Sequence, residues 1–196
     1  MRMKKALLGA ALALLGAGSL QAAPVQWSGN GHWYEAFAST ANWEAARVAA
    51  SASTFMGAQG HLATVTSAGE SLFVSTLGGD LSLYALGGFQ SLLATTPGAG
   101  WQWITGEAFA FDNWASGEPN DFPSAAGTEI IGLGSEDFLG LWNSRDGEGV
   151  TWNDINNVGP LRGYVVEYAP AQAIEPATLA LLGIGLAGLG FSRRKR

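Results

Sequence analysis

Glu118, Asn120, Glu136, Asn153 and Asp154 are the residues of this sequence best suited to chemistry, and the chemistry is that of a hard cation. Glu118-Pro119-Asn120 sets a carboxylate and an amide two positions apart, and in extended backbone such residues face the same way. Pro119 restricts the backbone between them. Asn153-Asp154 supplies a second amide and carboxylate, and Asp154 can add its backbone carbonyl. Glu136 can complete the group, with Glu129 as the alternative acid from the same stretch. Calcium takes six to eight oxygens from carboxylates, amides and carbonyls, which is the mixture offered. Asn and Asp are also common turn residues, so Asn153-Asp154 has a purely conformational reading too. Asp121, Asp137, Asp146 and Glu148 could serve a second ion or be solvated charges. His32 and His61 lie far apart in the sequence, and a histidine metal pair is not expected.

Catalysis finds less support. Two of these carboxylates could in principle act as the acid and base of a glycosidase, but nothing sets such a pair apart from the cation-binding group. There is no cysteine and no G-x-S-x-G elbow. Gly183-Ile184-Gly185-Leu186-Ala187-Gly188 fits G-x-G-x-x-G, yet it follows no strand of a βαβ unit and has no acid downstream, so a dinucleotide site is not expected. The chain reads as a binding protein, not an enzyme.

Charge narrows the partners. Of the 10 basic residues, seven lie at the two ends, leaving Arg47, Arg145 and Arg162 in the middle. All 16 acids lie between Glu35 and Glu175. Without Glu175, the central region sets 15 acids against 3 bases. Such a domain repels phosphate backbones and attracts cations, so nucleic acid is not an expected partner.

These residues need elements to hold them. Residues 32–37 alternate as a first strand. Asn42 can cap a helix beginning at Trp43 and running toward the glycines at 57–60. Residues 61–65 read as a short strand. Ser67-x-x-Glu70 is a capping box for a second helix reaching about Leu77. Residues 84–89 form a buried strand, Trp101, Trp103, Phe109, Phe111 and Trp114 follow in loop-rich sequence, and residues 136–142, 150–152 and 163–168 read as late strands. One strand, two helices and then several strands imply an α+β domain, expected over residues 24–170. Trp101, Trp103, Trp114 and Trp152 are expected mainly in its core.

This succession resembles the C-type lectin-like domain across nearly its whole length. The resemblance is carried by Asn42-Trp43-Glu44-Ala45-Ala46, Gly60-His61-Leu62-Ala63-Thr64-Val65 and Tyr84-Ala85-Leu86-Gly87-Gly88. It is carried most strongly by Trp114-Ala115-Ser116-Gly117-Glu118-Pro119-Asn120, Glu136-Asp137-Phe138-Leu139 and Trp152-Asn153-Asp154. It implies a double-loop α+β fold with two helices, small antiparallel sheets and a long calcium-binding loop region. It also implies a cis bond before Pro119, and a principal Ca2+ site made by Glu118, Asn120, Glu136, Asn153 and Asp154. The same five residues would bind sugar, vicinal hydroxyls sharing the ion with the acids and amides, and Glu-Pro-Asn goes with mannose-type recognition. Three departures are plain: the family's disulfides are absent, Tyr84 stands where tryptophan is usual, and the stretch between Asn120 and Glu136 is longer.

The ends are processing segments. Arg2, Lys4 and Lys5, an apolar run over 6–18 and Leu20-Gln21-Ala22 form a signal peptide over residues 1–22, so the chain is expected to be exported with Ala23 as its new first residue. At the other end, Glu175-Pro176, an apolar run over 177–191 and Arg193-Arg194-Lys195-Arg196 resemble the PEP-CTERM sorting signal of Gram-negative bacteria, over residues 171–196. Ile174 replaces the first proline of that motif. Fifteen helical residues span about 22 Å, short of a bilayer core of about 30 Å, and the basic cluster favours the cytoplasmic side. The resemblance implies processing by an exosortase after transient inner-membrane association. Together these readings describe a calcium-dependent, carbohydrate-binding protein of the cell surface or extracellular matrix, with a glycan or exopolysaccharide as ligand. The alternative is a calcium-stiffened structural or adhesive protein whose partners are proteins.

Overall fold

The computed structural model describes residues 23–122, 136–143 and 150–170. Its elements run β1 (Val25–Gln26), β2 (Trp33–Ala38), α1 (Trp43–Ala52), β3 (Thr54–Phe55), β4 (Ala58–Leu62), α2 (Ala68–Ser75), β5 (Tyr84–Gln90), β6 (Trp101–Trp103), β7 (Phe138–Asn143), β8 (Val150–Ile155) and β9 (Gly163–Tyr168). The α+β reading holds.

Local chemistry sets the helix boundaries. The Asn42 side chain accepts from the Ala45 N–H at 2.9 Å and starts α1. The helix stops at Ala52, earlier than the glycines suggested, because Ser53 turns extended and residues 54–62 fold into a tight β3–β4 hairpin. Ser67 caps α2 by accepting from the Glu70 N–H at 3.3 Å. Half of the expected capping box is redirected: the Glu70 carboxylate accepts from the N–H and hydroxyl of Thr66 and from the Tyr34 hydroxyl, rather than from the Ser67 N–H.

The strands join in one branched sheet whose main path is β1-β2-β9-β5-β7-β8, with β4 also on β9 and β6 on β5. Pairings are antiparallel except for a short parallel step between β5 and β9. β9 is central and buried on both faces, and apart from the buried Glu167 its interior residues are apolar or aromatic. Val165 joins a core with Trp103, Trp152, Leu86, Leu139 and Leu141. Val166 and Tyr168 join a second core with Trp43, Ala46, Ala50 and Leu62, where α1 packs. Tyr84 takes its place through Gly163: a Cβ there would lie 2.3 Å from the tyrosine ring and 2.4 Å from the Phe37 carbonyl oxygen.

Candidate carboxylate site

β8 is the platform of the site. It pairs with β7 along its length, setting Leu139 opposite Asp154 and Leu141 opposite Trp152. Trp152 is fully buried, the core anchor expected of it, and packs edge-on against Trp103, Phe111 and Trp114. The Trp114 segment is tied to this strand from the side: the Trp152 N–H donates to Asn113 O at 2.8 Å and the Ala115 N–H donates to Trp152 O at 2.9 Å. A turn follows, closed by Glu118 N–H to Ala115 O at 2.9 Å. It needs Gly117, whose φ is +90°. The Glu118–Pro119 peptide is cis, as the resemblance implied.

This path delivers the loop to Asp154. The Asp154 carboxylate, only 1% exposed, accepts from the Asn120 N–H at 3.2 Å and the Asp121 N–H at 2.6 Å. Glu136 closes the other side, its carboxylate accepting from the Phe122 N–H at 3.0 Å. Its own N–H donates to the Asp121 carboxylate at 3.0 Å. Asp121, read from sequence only as a secondary acid, is thus the link between the loop and the β7 segment. Its position directly after Asn120 was the one available signal.

Electrostatics shows how close the acids are. Burial, a hydrogen-bonding approach of the Asp154 carboxyl and the Asp154 charge push Glu118 up to about 7, against the pull of the Asn120 backbone and side-chain donors. Burial and the charges of Asp154, Glu118 and Asp121 push Glu136 up to about 7, against the Phe122 N–H. Glu118 Oε2 is buried without a hydrogen-bond partner. Orphaned buried acceptors are rare and demand an explanation; mutual repulsion relieved by a divalent cation supplies one. The donor set fits calcium, being all oxygen. Among the described residues, no group of three or more histidine, cysteine or acidic side chains is arranged closely enough to count as a metal cluster.

Of the five residues expected at the site, Glu118, Asn120, Glu136 and Asp154 are connected by hydrogen bonds or direct electrostatic contact. Asn153 is half-buried and joined to them through the strand, opposite Gly140. Glu129, Asp146 and Glu148 lie outside the described residues.

The two histidines share a buried acid. Though distant in sequence, both reach Glu167: His32 Nδ1 at 2.5 Å and His61 Nδ1 at 3.9 Å. The reason is that β2 and β4 flank β9 on either side, aligning Tyr34 and His61 with Glu167. Glu167, 2% exposed, also accepts from the Thr64 N–H and hydroxyl at 2.9 and 3.0 Å and lies 3.1 Å from the Tyr34 hydroxyl, whose proton is nearer Glu70. Burial pushes its carboxyl up, but the His32 bond, the nearby His61 and Thr64 outweigh burial and hold it below its ordinary value. The Glu167 bond raises His32 in turn. With its oxygens already satisfied by protein donors, this constellation is a structural fastening.

Solved structures now place the architecture. The C-type lectin CEL-I from Cucumaria echinata superposes with a TM-score of 0.55 at 20% identity, covering 74% of this chain and 96% of that one. The cow C-type carbohydrate-recognition domain of CD23, solved in the presence of a GlcNAc2Man3 oligosaccharide, gives 0.53 at 22% identity, covering 71% and 89%. A Ca2+-dependent type II antifreeze protein, in its Ca2+-free form, gives 0.53 at 19% identity, covering 74% and 95%. The fold is C-type lectin-like. The C-type lectin-like domain is followed by a tail that matches the PEP-CTERM protein-sorting motif over residues 175–195. Among curated proteins none matches the chain significantly.

Proposed function

We propose that this chain is an exported, calcium-dependent carbohydrate-binding protein of a Gram-negative cell surface or exopolysaccharide matrix. The observation that carries the reading is that the Asp154 carboxylate acts on both Glu118 and Glu136, with the Asn120 amide beside Glu118 and one Glu118 oxygen buried and unpaired. Glu118, Asn120, Glu136, Asn153 and Asp154 would hold the ion. Calcium's preference for six to eight oxygens leaves room for two vicinal hydroxyls of a sugar. The carboxylates accept hydrogen bonds from those hydroxyls, and the asparagine amides donate to them. Residues 1–22 act as the signal peptide and residues 24–170 as the binding domain. The tail over 171–196 is the substrate of an exosortase, reached through transient association with the inner membrane.

The test is calorimetric titration of calcium into the full chain in mild detergent, with Glu118→Gln and Asp154→Asn alongside, followed by mannose-type sugars. A saturable calcium signal lost in both variants, and a sugar signal that needs calcium, support the reading. Folded protein that binds no calcium defeats it. The Ca2+-dependent antifreeze protein of the same fold marks the alternative, in which calcium binds but no sugar does and the domain is a calcium-stiffened structural or adhesive element with protein partners.

A further inference from the structure

Asp121 holds a backbone shape that costs most residues energy. Its φ is +49°, in the left-handed region, which aspartate and asparagine tolerate better than other side chains do. Glycine serves such a turn without that cost, and Gly117 does so just upstream, at φ +90°. A turn alone therefore does not account for an aspartate at this point; the work of its carboxylate does.

The bonds around Asp121 show that work. The N–H groups of Asn120 and Asp121 both reach the Asp154 carboxylate, at 3.2 and 2.6 Å, whereas the next N–H, that of Phe122, reaches Glu136 at 3.0 Å. The change of direction falls at the left-handed residue. Successive backbone N–H groups turned in this way form a concavity for anionic groups, and here it receives two carboxylates. Asp121 returns a bond of its own, its Oδ1 accepting from the Glu136 N–H at 3.0 Å. The two bonds between this stretch and Glu136 thus run one in each direction. Glu136 stands before the start of β7 at Phe138, so the strand ladder does not hold it. Its neighbour Asp137 is tied to β5 through Gln90 N–H to Asp137 O at 2.8 Å, and Asp121 secures Glu136 from the other side.

We propose that Asp121 is a positioning residue of the carboxylate site and not a ligand: its Oδ1 fixes the Glu136 backbone, and so places the Glu136 carboxylate where it joins Glu118 and Asp154 in holding the cation. This rests on the calcium reading above and assigns a part to a residue which that reading leaves out. The two roles need different chemistry. A carboxylate ligand gives the ion its charge, whereas a positioning acceptor gives an N–H only an oxygen. Asparagine keeps the Oδ1 acceptor and tolerates the left-handed φ; glycine keeps the φ and loses the acceptor.

The experiment compares Asp121→Asn and Asp121→Gly in the full chain by two measurements. The first is amide hydrogen exchange of Glu136, followed by NMR in chelator, with the amides of β9 as a control for folding. The second is calcium affinity by calorimetry. Exchange of the Glu136 N–H should be slow in the unsubstituted chain and in Asp121→Asn, and about tenfold faster in Asp121→Gly, with β9 unchanged. Calcium affinity should stay within about threefold in Asp121→Asn and fall about five- to tenfold in Asp121→Gly. Equal loss of affinity in both variants overturns the inference, because the charge would then act on the ion directly. Glu136 exchange that is the same in Asp121→Gly as in the unsubstituted chain overturns it too. If the unsubstituted chain binds no calcium, the calcium reading itself fails and the positioning role falls with it.

Discussion

Raising the pH of the calcium-free protein from 5 to 8 should destabilise it, and calcium should abolish most of that loss. Glu118 and Glu136 stand at about 7 in the folded chain against an ordinary 4.5. An acid whose folded value is raised keeps its proton longer when folded, so stability is full below about pH 4.5 and declines as pH climbs through about 7. Each shift alone corresponds to at most about 3.4 kcal/mol. Both groups retain contact with water and both are raised in part by the same Asp154 charge, so their contributions are screened and overlap. A combined loss of about 2 kcal/mol is the expectation. Urea unfolding followed by tryptophan fluorescence, in chelator and in millimolar calcium, measures it directly. His32 adds a slope of the same sign, since its raised value means stability present below about 6.5 and lost as pH passes the folded value. That slope does not depend on calcium, so the difference between the two conditions isolates the carboxylates. The reasoning is refuted if the slope is the same with and without calcium, or persists unchanged when Glu118→Gln and Glu136→Gln are combined.

Other substitutions probe single links. Asp154→Asn removes the charge common to both raised acids, so proton titration followed by NMR should show Glu118 and Glu136 returning toward ordinary values even as calcium binding disappears. Glu167→Gln leaves His32 without its anionic partner; the His32 titration should move down, and urea unfolding should show a loss of about 2–4 kcal/mol from disruption of a buried charged network. Gly163→Ala forces a methyl onto the Tyr84 ring and the Phe37 carbonyl, which should cost about 1–3 kcal/mol in the same assay.

Much of this was legible in the residues. The Asn42 cap, the Ser67 cap and the alternation of β2 depend on near neighbours in the chain, and the structure follows them. The β3–β4 hairpin was not legible, because its turn at Met56-Gly57 carries positive φ at both residues and methionine gives no sign of that. The approach of His32 and His61 to Glu167 was hidden for another reason: it depends on which strands lie beside β9, and strand order leaves no local mark in sequence. Within the carboxylate site, the residue types and the Glu-Pro-Asn spacing were readable. The backbone donors of residues 120–122 that seat Asp154 and Glu136 were not, since every non-proline residue carries such a donor.

β9 also has a mechanical meaning. The chain leaves this strand toward the sorting motif, so whatever grips the C-terminal end pulls on β9 along its length. β2 and β4 flank it in antiparallel register, the former over all six residues and the latter over three. A lengthwise pull on a strand bonded along both edges loads many hydrogen bonds at once in shear, instead of peeling them one after another. Were the domain pulled from this end, β9 would carry the load in shear.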